Sequence, residues 1–473
     1  MKTALVFLPV RLPNAPSLGP ACLKSYLNER GHDVFILDYN IKIYNGMQPE
    51  ATRWWFMESA WAWVDLENYR RLIEPLIRPY FVQLAKELLI KKVDAVGFTV
   101  LNVNYFPAIT AIEIIRKICP EIKIFYGGPN ITKDNAVHDL EVGRIDAAIV
   151  GEGEESCHAL LTHWKLGKTG TVAGVFQRDA KGKGLEGPKQ AMLKIKDLPI
   201  PDFEDFDLTV YKAKYLPIEF SRGCTAKCTF CSETVFWVSY RSKTALKIFN
   251  EMKYNVEKYA IHEYRIVDSL LNGNHMLLEE LTDLIIADGL VVHWYGFARI
   301  DKKLTPKVLE KMARAGCMSL TYGIESGSQK VLDLMRKDYK IKEIYDVVRD
   351  THAAGIWVNT QILIGFPGEN WFNFFETVKL LWDLRHSFRQ IFPGNPLAIT
   401  PNTHIIENLD LYGIVKNNYR GGEWHTRFYM NNVLLRKFRF WVLKMFLKTI
   451  QLPQGYAVAH ALGPEFDHVD EHL

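Results

Sequence analysis

Across residues 1–165, short and almost uniformly apolar runs alternate with stretches of helical periodicity. Runs of strand length fall at 3–10, 34–37, 95–100, 122–126 and 147–150, and amphipathic stretches at 21–30, 76–90, 108–118 and 154–166. Strands apolar on both faces, separated by amphipathic helices, predict a doubly wound, Rossmann-like parallel sheet covered on both sides. An insert at 41–75 interrupts the alternation with Trp54, Trp55, Trp61 and Trp63. Aromatics this dense form a packed satellite cluster more often than a cofactor box. The charged, Gly-rich stretch 166–205 reads as a connector ending at Leu198-Pro199-Ile200-Pro201, with residues 174–177 as one strand of a hairpin.

A second series follows, with strands predicted at 216–220, 264–267, 292–297, 319–323, 358–364 and 397–399. Helices are predicted between them at 242–259, 276–288, 305–315, 330–335, 341–354 and 371–385. Six βα units of this length suit a partial (β/α)6 TIM-type barrel better than a second open sheet. The tail from 401 is mixed and ends in a basic amphipathic segment at 434–448. A helix closing the barrel is the ordinary reading of that segment, and a face for a membrane surface or a partner is the other. The organisation expected is therefore 1–165, a linker at 166–205, a barrel at 206–400 and a closing, substrate-contacting region at 401–473.

Composition narrows the class without naming a chemistry. At 48% hydrophobic and 24% charged residues the chain is of globular type, and a net charge of +4 without a Lys/Arg block argues against nucleic acid. No uninterrupted apolar stretch reaches the ~18 residues of a membrane span. The N-terminal MKTALVFLPV is followed by Arg11 and prolines rather than a cleavage site, and reads as a first strand. Seven cysteines, three of them clustered, do not suggest a disulfide framework. A reducing, cytoplasmic compartment is expected.

Candidate chemistry begins at the strand ends, where ligands collect in open α/β sheets. Gly97-Phe98-Thr99, Gly127-Gly128-Pro129 and Gly151-Glu152-Gly153 each sit at or beside one. Glycines make tight turns in any sheet, but three such clusters at successive junctions favour a ligand-binding edge.

The strongest signal is Ser221-Arg222-Gly223-Cys224-Thr225-Ala226-Lys227-Cys228-Thr229-Phe230-Cys231. Three thiolates this close can wrap one small polynuclear centre. Structural zinc prefers four closed ligands, and no fourth Cys or His lies at finger spacing. A [4Fe–4S] cube also usually takes four thiolates, so three leave one iron open. The segment resembles the radical SAM (S-adenosylmethionine) superfamily, whose CxxxCxΦC signature follows the first barrel strand: Cys224, Cys228, Phe230 and Cys231 match it residue by residue. The resemblance implies a [4Fe–4S] cluster on Cys224, Cys228 and Cys231. In that family SAM's amino and carboxylate groups chelate the open iron and its reductive cleavage gives a 5′-deoxyadenosyl radical, so the resemblance also implies a flavodoxin, ferredoxin or other reductase as electron donor.

The same resemblance assigns SAM contacts at other strand ends. Gly323-Ile324-Glu325-Ser326-Gly327-Ser328 is similar to the family's strand-four motif, which makes Gly323, Glu325 and Ser326 candidates. Ile364-Gly365-Phe366-Pro367-Gly368-Glu369 is similar to the GxPGE turn, with Gly365 and Pro367 near adenine. Arg299 is placed to meet a carboxylate, and Asp268 to point into the barrel mouth.

The N-terminal half resembles the cobalamin (B12)-binding domain of one radical SAM subclass, through 9–19, 97–104, Gly127-Gly128-Pro129-Asn130 and Gly151-Glu152-Gly153-Glu154. The corrinoid contacts it implies are Thr99, Val100, Gly127, Gly128, Pro129, Gly151, Glu152 and Gly153. The DxHxxG loop of other cobalamin proteins is absent. Val10-Arg11-Leu12-Pro13-Asn14-Ala15-Pro16-Ser17 stands in its place, so no His from this loop is expected to ligate cobalt. The resemblance implies a cobalamin-dependent methyltransferase acting on an unactivated carbon or a phosphinate of a small-molecule, peptide or lipid substrate. A cyclase, oxidase or rearrangement enzyme without methyl transfer is the alternative, and a non-catalytic cobalamin or SAM sensor the alternative of another class. A methylthiotransferase is disfavoured, because Cys22, Cys119 and Cys157 are scattered.

Overall fold

The computed structural model describes residues 1–455 except 130, 180, 394–396, 401–402 and 416–422. Asn130 and the start of the tail at 401 therefore lie outside the described residues. The chain divides into two units, Met1–Lys214 and Tyr215–Leu473.

In the first unit the apolar runs become β1 (Lys2–Phe7), β2 (Asp33–Asp38), β3 (Ala95–Thr99), β4 (Lys123–Gly127) and β5 (Ala147–Ile149). The strand order is β2-β1-β3-β4-β5, all parallel. Helices Leu18–Asn28, Glu74–Ile90, Tyr105–Ile118 and Gly153–Lys165 separate most of them. The order reverses between β1 and β3, which makes the carboxyl ends of those two strands the topological switch point. Part of the expected connector belongs to the sheet: β6 (Val175–Arg178) and β7 (Gly184–Glu186) extend it antiparallel beyond β5. The tryptophan insert packs as a satellite. Trp55 and Trp63 are buried at a ring separation of 5.5 Å, and their indole N–H groups donate to Asn40 and to the Trp54 carbonyl.

The second unit opens with β8 (Tyr215–Ile218) and a short antiparallel ladder of β9 (Ser221–Arg222) with β10 (Arg241–Ser242). Then come β11 (Glu263–Ile266), β12 (His293–Ala298), β13 (Cys317–Glu325), β14 (Trp357–Ile362) and β15 (Phe388–Pro393). With β8 these five form a parallel sheet in chain order, an open six-stranded barrel. Its strands bury one face under helices. Tyr264, Trp294 and Tyr322 are fully buried and hydrogen-bond Met252, Ala315 and Thr351 behind the sheet. The alternate positions Arg265, Tyr295, Thr321, Asn359 and Gln361 are only half-buried and line the inner face.

The last strand corrects the expectation at 397–399. β15 is Phe388–Pro393, whereas Leu397 and Ile399 are buried in an apolar cluster with Phe366 and Trp424. On its outer side β15 meets a single bridge, Ile391 with Gln454, so exposed Arg389 and terminal Pro393 are tolerated there and break the apolar run. Among the described residues no helix is long and apolar enough to cross a membrane.

Candidate active site at the barrel strand ends

The cysteine loop is set by the backbone on either side of it. Asp268, just beyond β11, is 2% exposed and accepts the Phe220 N–H at 2.8 Å and the Ser221 hydroxyl. Burial pushes its carboxyl up to about 8, against the two hydrogen bonds. Gly223 then turns the chain at φ +84°, where an added Cβ would lie 2.6 Å from the Ser239 carbonyl oxygen. Past Cys228 the chain is clamped again: Thr229 N–H donates to Met335 O at 3.1 Å, and Ile405 N–H donates to Thr229 O at 3.1 Å. Phe230 packs edge-on against Phe366 at 6.3 Å. The three cysteines are each half-exposed between these anchors.

Two cations face the loop. Arg299 Nη1 lies 3.6 Å from Cys228 Sγ, and its backbone is held by Asn272, whose side-chain oxygen and nitrogen bond its N–H and C=O at 2.9 Å each. Lys337 is 6% exposed, sits 5.6 Å above the Phe230 ring and pairs with Glu325 at 3.3 Å. Burial alone would push its ammonium down, but Tyr339, Glu325 and Cys228 outweigh burial and hold it above its ordinary value. Burial raises the Cys224 thiol, and Cys231 to about 12, with the neighbouring thiols adding to both. Free thiols of this kind are protonated at neutral pH, so iron binding here must release protons. Among the described residues no three His, Cys, Asp or Glu stand around a single-ion position.

The strand-four motif divides by role. Glu325 takes φ +65° beside a register shift between β13 and β14, a strained conformation that keeps its carboxylate on Lys337. Gly323 leaves the space: a Cβ there would sit 2.8 Å from the Glu325 carboxylate and 3.5 Å from Lys337 Nζ. Ser326 is fully buried, accepting the Ser328 N–H at 3.1 Å and bonding Thr377 at 3.3 Å. Arg299 thus lies at Cys228 and Gly323 and Glu325 lie at Lys337, while Asp268 and Ser326 brace the backbone.

Gly365 and Pro367 form a buried turn beside Phe366. Gly365, at φ +82°, donates its N–H to Glu369 at 2.8 Å, and Glu369 pairs with Arg439 at 3.1 Å. Burial raises the Glu369 carboxyl to about 7, with Arg439 opposing. Arg439 and the equally buried Arg436 come from the helix Val433–Thr449, and Arg436 stacks 3.8 Å over Trp424. This helix packs on the barrel through two buried arginines together with Leu443 and Leu447.

In the first unit the predicted strand-end residues lie along one sheet edge. Asn104 is fully buried and ties the two sides of the switch point, donating to Leu8 O at 3.3 Å and Thr99 O at 3.1 Å. Val100 is buried and donates its N–H to Gly127 O at 2.7 Å. Gly128, at φ +136°, passes so close that a Cβ would meet the Val100 carbonyl oxygen at 2.1 Å. Thr99, Gly127, Gly128, Gly151, Glu152 and Gly153 remain half-buried and Pro129 exposed, an edge open to a ligand. Glu152 precedes the helix Gly153–Lys165 and accepts the Leu193 N–H at 3.4 Å.

Lys337 lies outside the motifs read from the sequence, and Asn272 and Asn104 lie in strand-end stretches that gave them no individual role. Lys337 sits in Met335-Arg336-Lys337-Asp338, which reads as a solvated helix end until the fold turns it onto Glu325. A charged residue just past an apolar helix face and close to the GIESGS motif was the available hint.

A family model described as the Radical SAM superfamily matches residues 218–381. An uncharacterized methyltransferase of Pyrococcus horikoshii is 27% identical over 346 residues, 71% of this chain and 73% of that protein. The anaerobic magnesium-protoporphyrin IX monomethyl ester cyclase of Rubrivivax gelatinosus is 24% identical over 415 residues, 78% of this chain and 73% of the relative. Among solved structures, the radical SAM methyltransferase TsrM of Kitasatospora setae, with cobalamin and a [4Fe–4S] cluster bound, shares the fold. Its TM-score is 0.63 at 17% identity, over 88% of this chain and 81% of TsrM.

Proposed function

We propose that this chain, whose residues 218–381 match the Radical SAM superfamily, is a cobalamin-dependent radical SAM enzyme that methylates an unactivated carbon, or a phosphinate, of its substrate. The observation that carries the reading is the half-exposed Cys224, Cys228 and Cys231 loop, faced by Arg299 and Lys337 at the barrel's carboxyl edge. Cobalamin is proposed from the open, glycine-lined edge of the first unit, supported by the fold shared with cobalamin-bound TsrM. When bound, the cluster with SAM supplies a hydrogen-abstracting radical, and the corrinoid a transferable methyl group.

The chain's own residues then divide the work. Cys224, Cys228 and Cys231 hold the cluster, and Phe230 and Phe366 keep water from its flank. Arg299 and Lys337 offset the negative charge of the thiolates and of a SAM carboxylate, with Glu325 orienting Lys337. The Gly365–Glu369 turn presents backbone towards adenine. Arg265, Tyr295, Thr321, Asn359 and Gln361 offer hydrogen-bonding groups to substrate from the inner barrel face. Thr99, Val100, Gly127 to Pro129 and Gly151 to Gly153 would cradle the corrinoid.

Anaerobic purification with iron and corrinoid counts, together with assays of 5′-deoxyadenosine and S-adenosylhomocysteine, tests the proposal. Both products and a substrate gain of one CH2 support methyl transfer. The similarity to the Rubrivivax cyclase favours ring closure as the second reading. Deoxyadenosine alone, with loss of two hydrogens from substrate, would establish it. A sensor would make no deoxyadenosine, and Cys228→Ala would leave its cellular role intact.

A further inference from the structure

The helix Val433–Thr449 has two faces of opposite character. Its inner face, Arg436, Arg439, Leu443 and Leu447, is buried against the barrel. Its outer face carries Leu434, Phe438, Trp441 and Met445, which are 74%, 52%, 56% and 46% exposed. At about 100° per residue these four fall within about 60° of one another. Lys437, Lys444 and Lys448 are exposed along one border of the stripe, about 40–80° from Leu434. The apolar surface continues onto the neighbouring helix Trp371–Asp383. Trp371 contacts Phe438 at 5.9 Å and Phe375 at 5.9 Å, and Phe375 is 54% exposed.

We infer that this outer face docks the enzyme onto an anionic lipid surface. Charge complementarity selects the occupant. From Trp424 to Gly455 the sequence has six Lys or Arg, of which Arg436 and Arg439 are buried, and no Asp or Glu, while the neighbouring helix adds the exposed pair Glu376 and Lys379. A row of Phe, Trp, Leu and Met bordered by lysines is the pattern of an interfacial helix, whose apolar side chains enter the acyl boundary while ammonium groups meet headgroup phosphates. A protein partner of ordinary size needs about 800 Å² of fitted surface per side, ringed by a polar rim. This stripe is one to two helices wide and has cations on one border only. The helix cannot span: it has 17 residues and its inner face is held to the barrel by two buried arginines. The inference does not depend on the reaction proposed above.

Flotation of the full chain with vesicles of phosphatidylglycerol and phosphatidylcholine, against phosphatidylcholine alone, tests it. The protein is expected to float with the anionic vesicles, at least tenfold less with neutral ones, and to be released by salt. Phe438→Ser/Trp441→Ser and Lys437→Glu/Lys444→Glu should each reduce anionic binding at least tenfold while leaving the melting temperature within a few degrees. Absence of binding to anionic vesicles overturns the inference, as does binding that survives both double variants. A stripe used for self-association or for an acidic protein would leave the protein unbound to vesicles, the first of these results.

Discussion

The Glu369 carboxylate and the Arg439 guanidinium meet at 3.1 Å with each side chain only 1% exposed, joining the turn after β14 to the last helix across 70 residues. Each charge is tolerable only beside the other, since burying an unpaired ion costs several kcal/mol. Arg439→Leu is therefore expected to destabilise the second unit by about 3–5 kcal/mol. The double variant Glu369→Gln/Arg439→Leu should recover part of that loss. Denaturant titration of the four-member cycle measures the coupling, and additive losses would show that the pair does not hold the turn.

Asp268 makes stability pH-dependent. Its carboxyl has an ordinary value of 3.8 and is raised by burial to about 8 in the folded chain, so folding favours the protonated form. The corresponding stability is fully present below about pH 4 and is lost as pH rises through about 8. Glu369, raised to about 7, adds a loss of the same sign. Asp268→Asn keeps an acceptor for Phe220 N–H and a donor for Ser221, and should flatten the decline in melting temperature between pH 5 and pH 9. Asp268→Ala leaves the Phe220 N–H unsatisfied and should cost about 1–3 kcal/mol. An unchanged pH profile in Asp268→Asn would refute the assignment.

Lys337 places a buried cation between Glu325 and the cysteine loop. Replacing it by Met removes positive charge near the cluster, which favours the oxidised form. The reconstituted cluster of Lys337→Met should therefore show a lower reduction potential than wild type, read by redox titration with electron paramagnetic resonance. It should also lose about 3–5 kcal/mol of stability, because Glu325 is left buried without its partner. Lys337→Arg restores the charge and should recover most of the potential.

Gly128 tests the strand-end cradle of the first unit. An added Cβ would overlap the Val100 carbonyl oxygen at 2.1 Å, at a φ that L residues rarely adopt. Gly128→Ala should destabilise that unit by about 1–3 kcal/mol or more, and should weaken corrinoid binding by equilibrium dialysis. Gly151→Ala, at φ +93° with nothing within 4 Å, should disturb folding less.

What the sequence determined by itself is whatever depends on neighbours a few positions apart. Alternating apolar and amphipathic stretches sufficed for two α/β units, since strand and helix periods are local properties of the chain. The spacing of Cys224, Cys228 and Cys231 sufficed for a cluster loop because its ligands lie within eight residues. The tertiary structure decided everything that joins distant positions. It brought Arg299 to Cys228 across 71 residues, turned Lys337 onto Glu325 and committed Asp268 and Ser326 to backbone support. It also moved the sixth strand to Phe388–Pro393, where an edge position tolerates Arg389 and Pro393. For the last helix the sequence posed two roles, and burial separated them by face: Arg436 and Arg439 turn in to close the barrel, while Phe438 and Trp441 remain outside. Periodicity reports that a helix has two faces; only packing decides what each one meets.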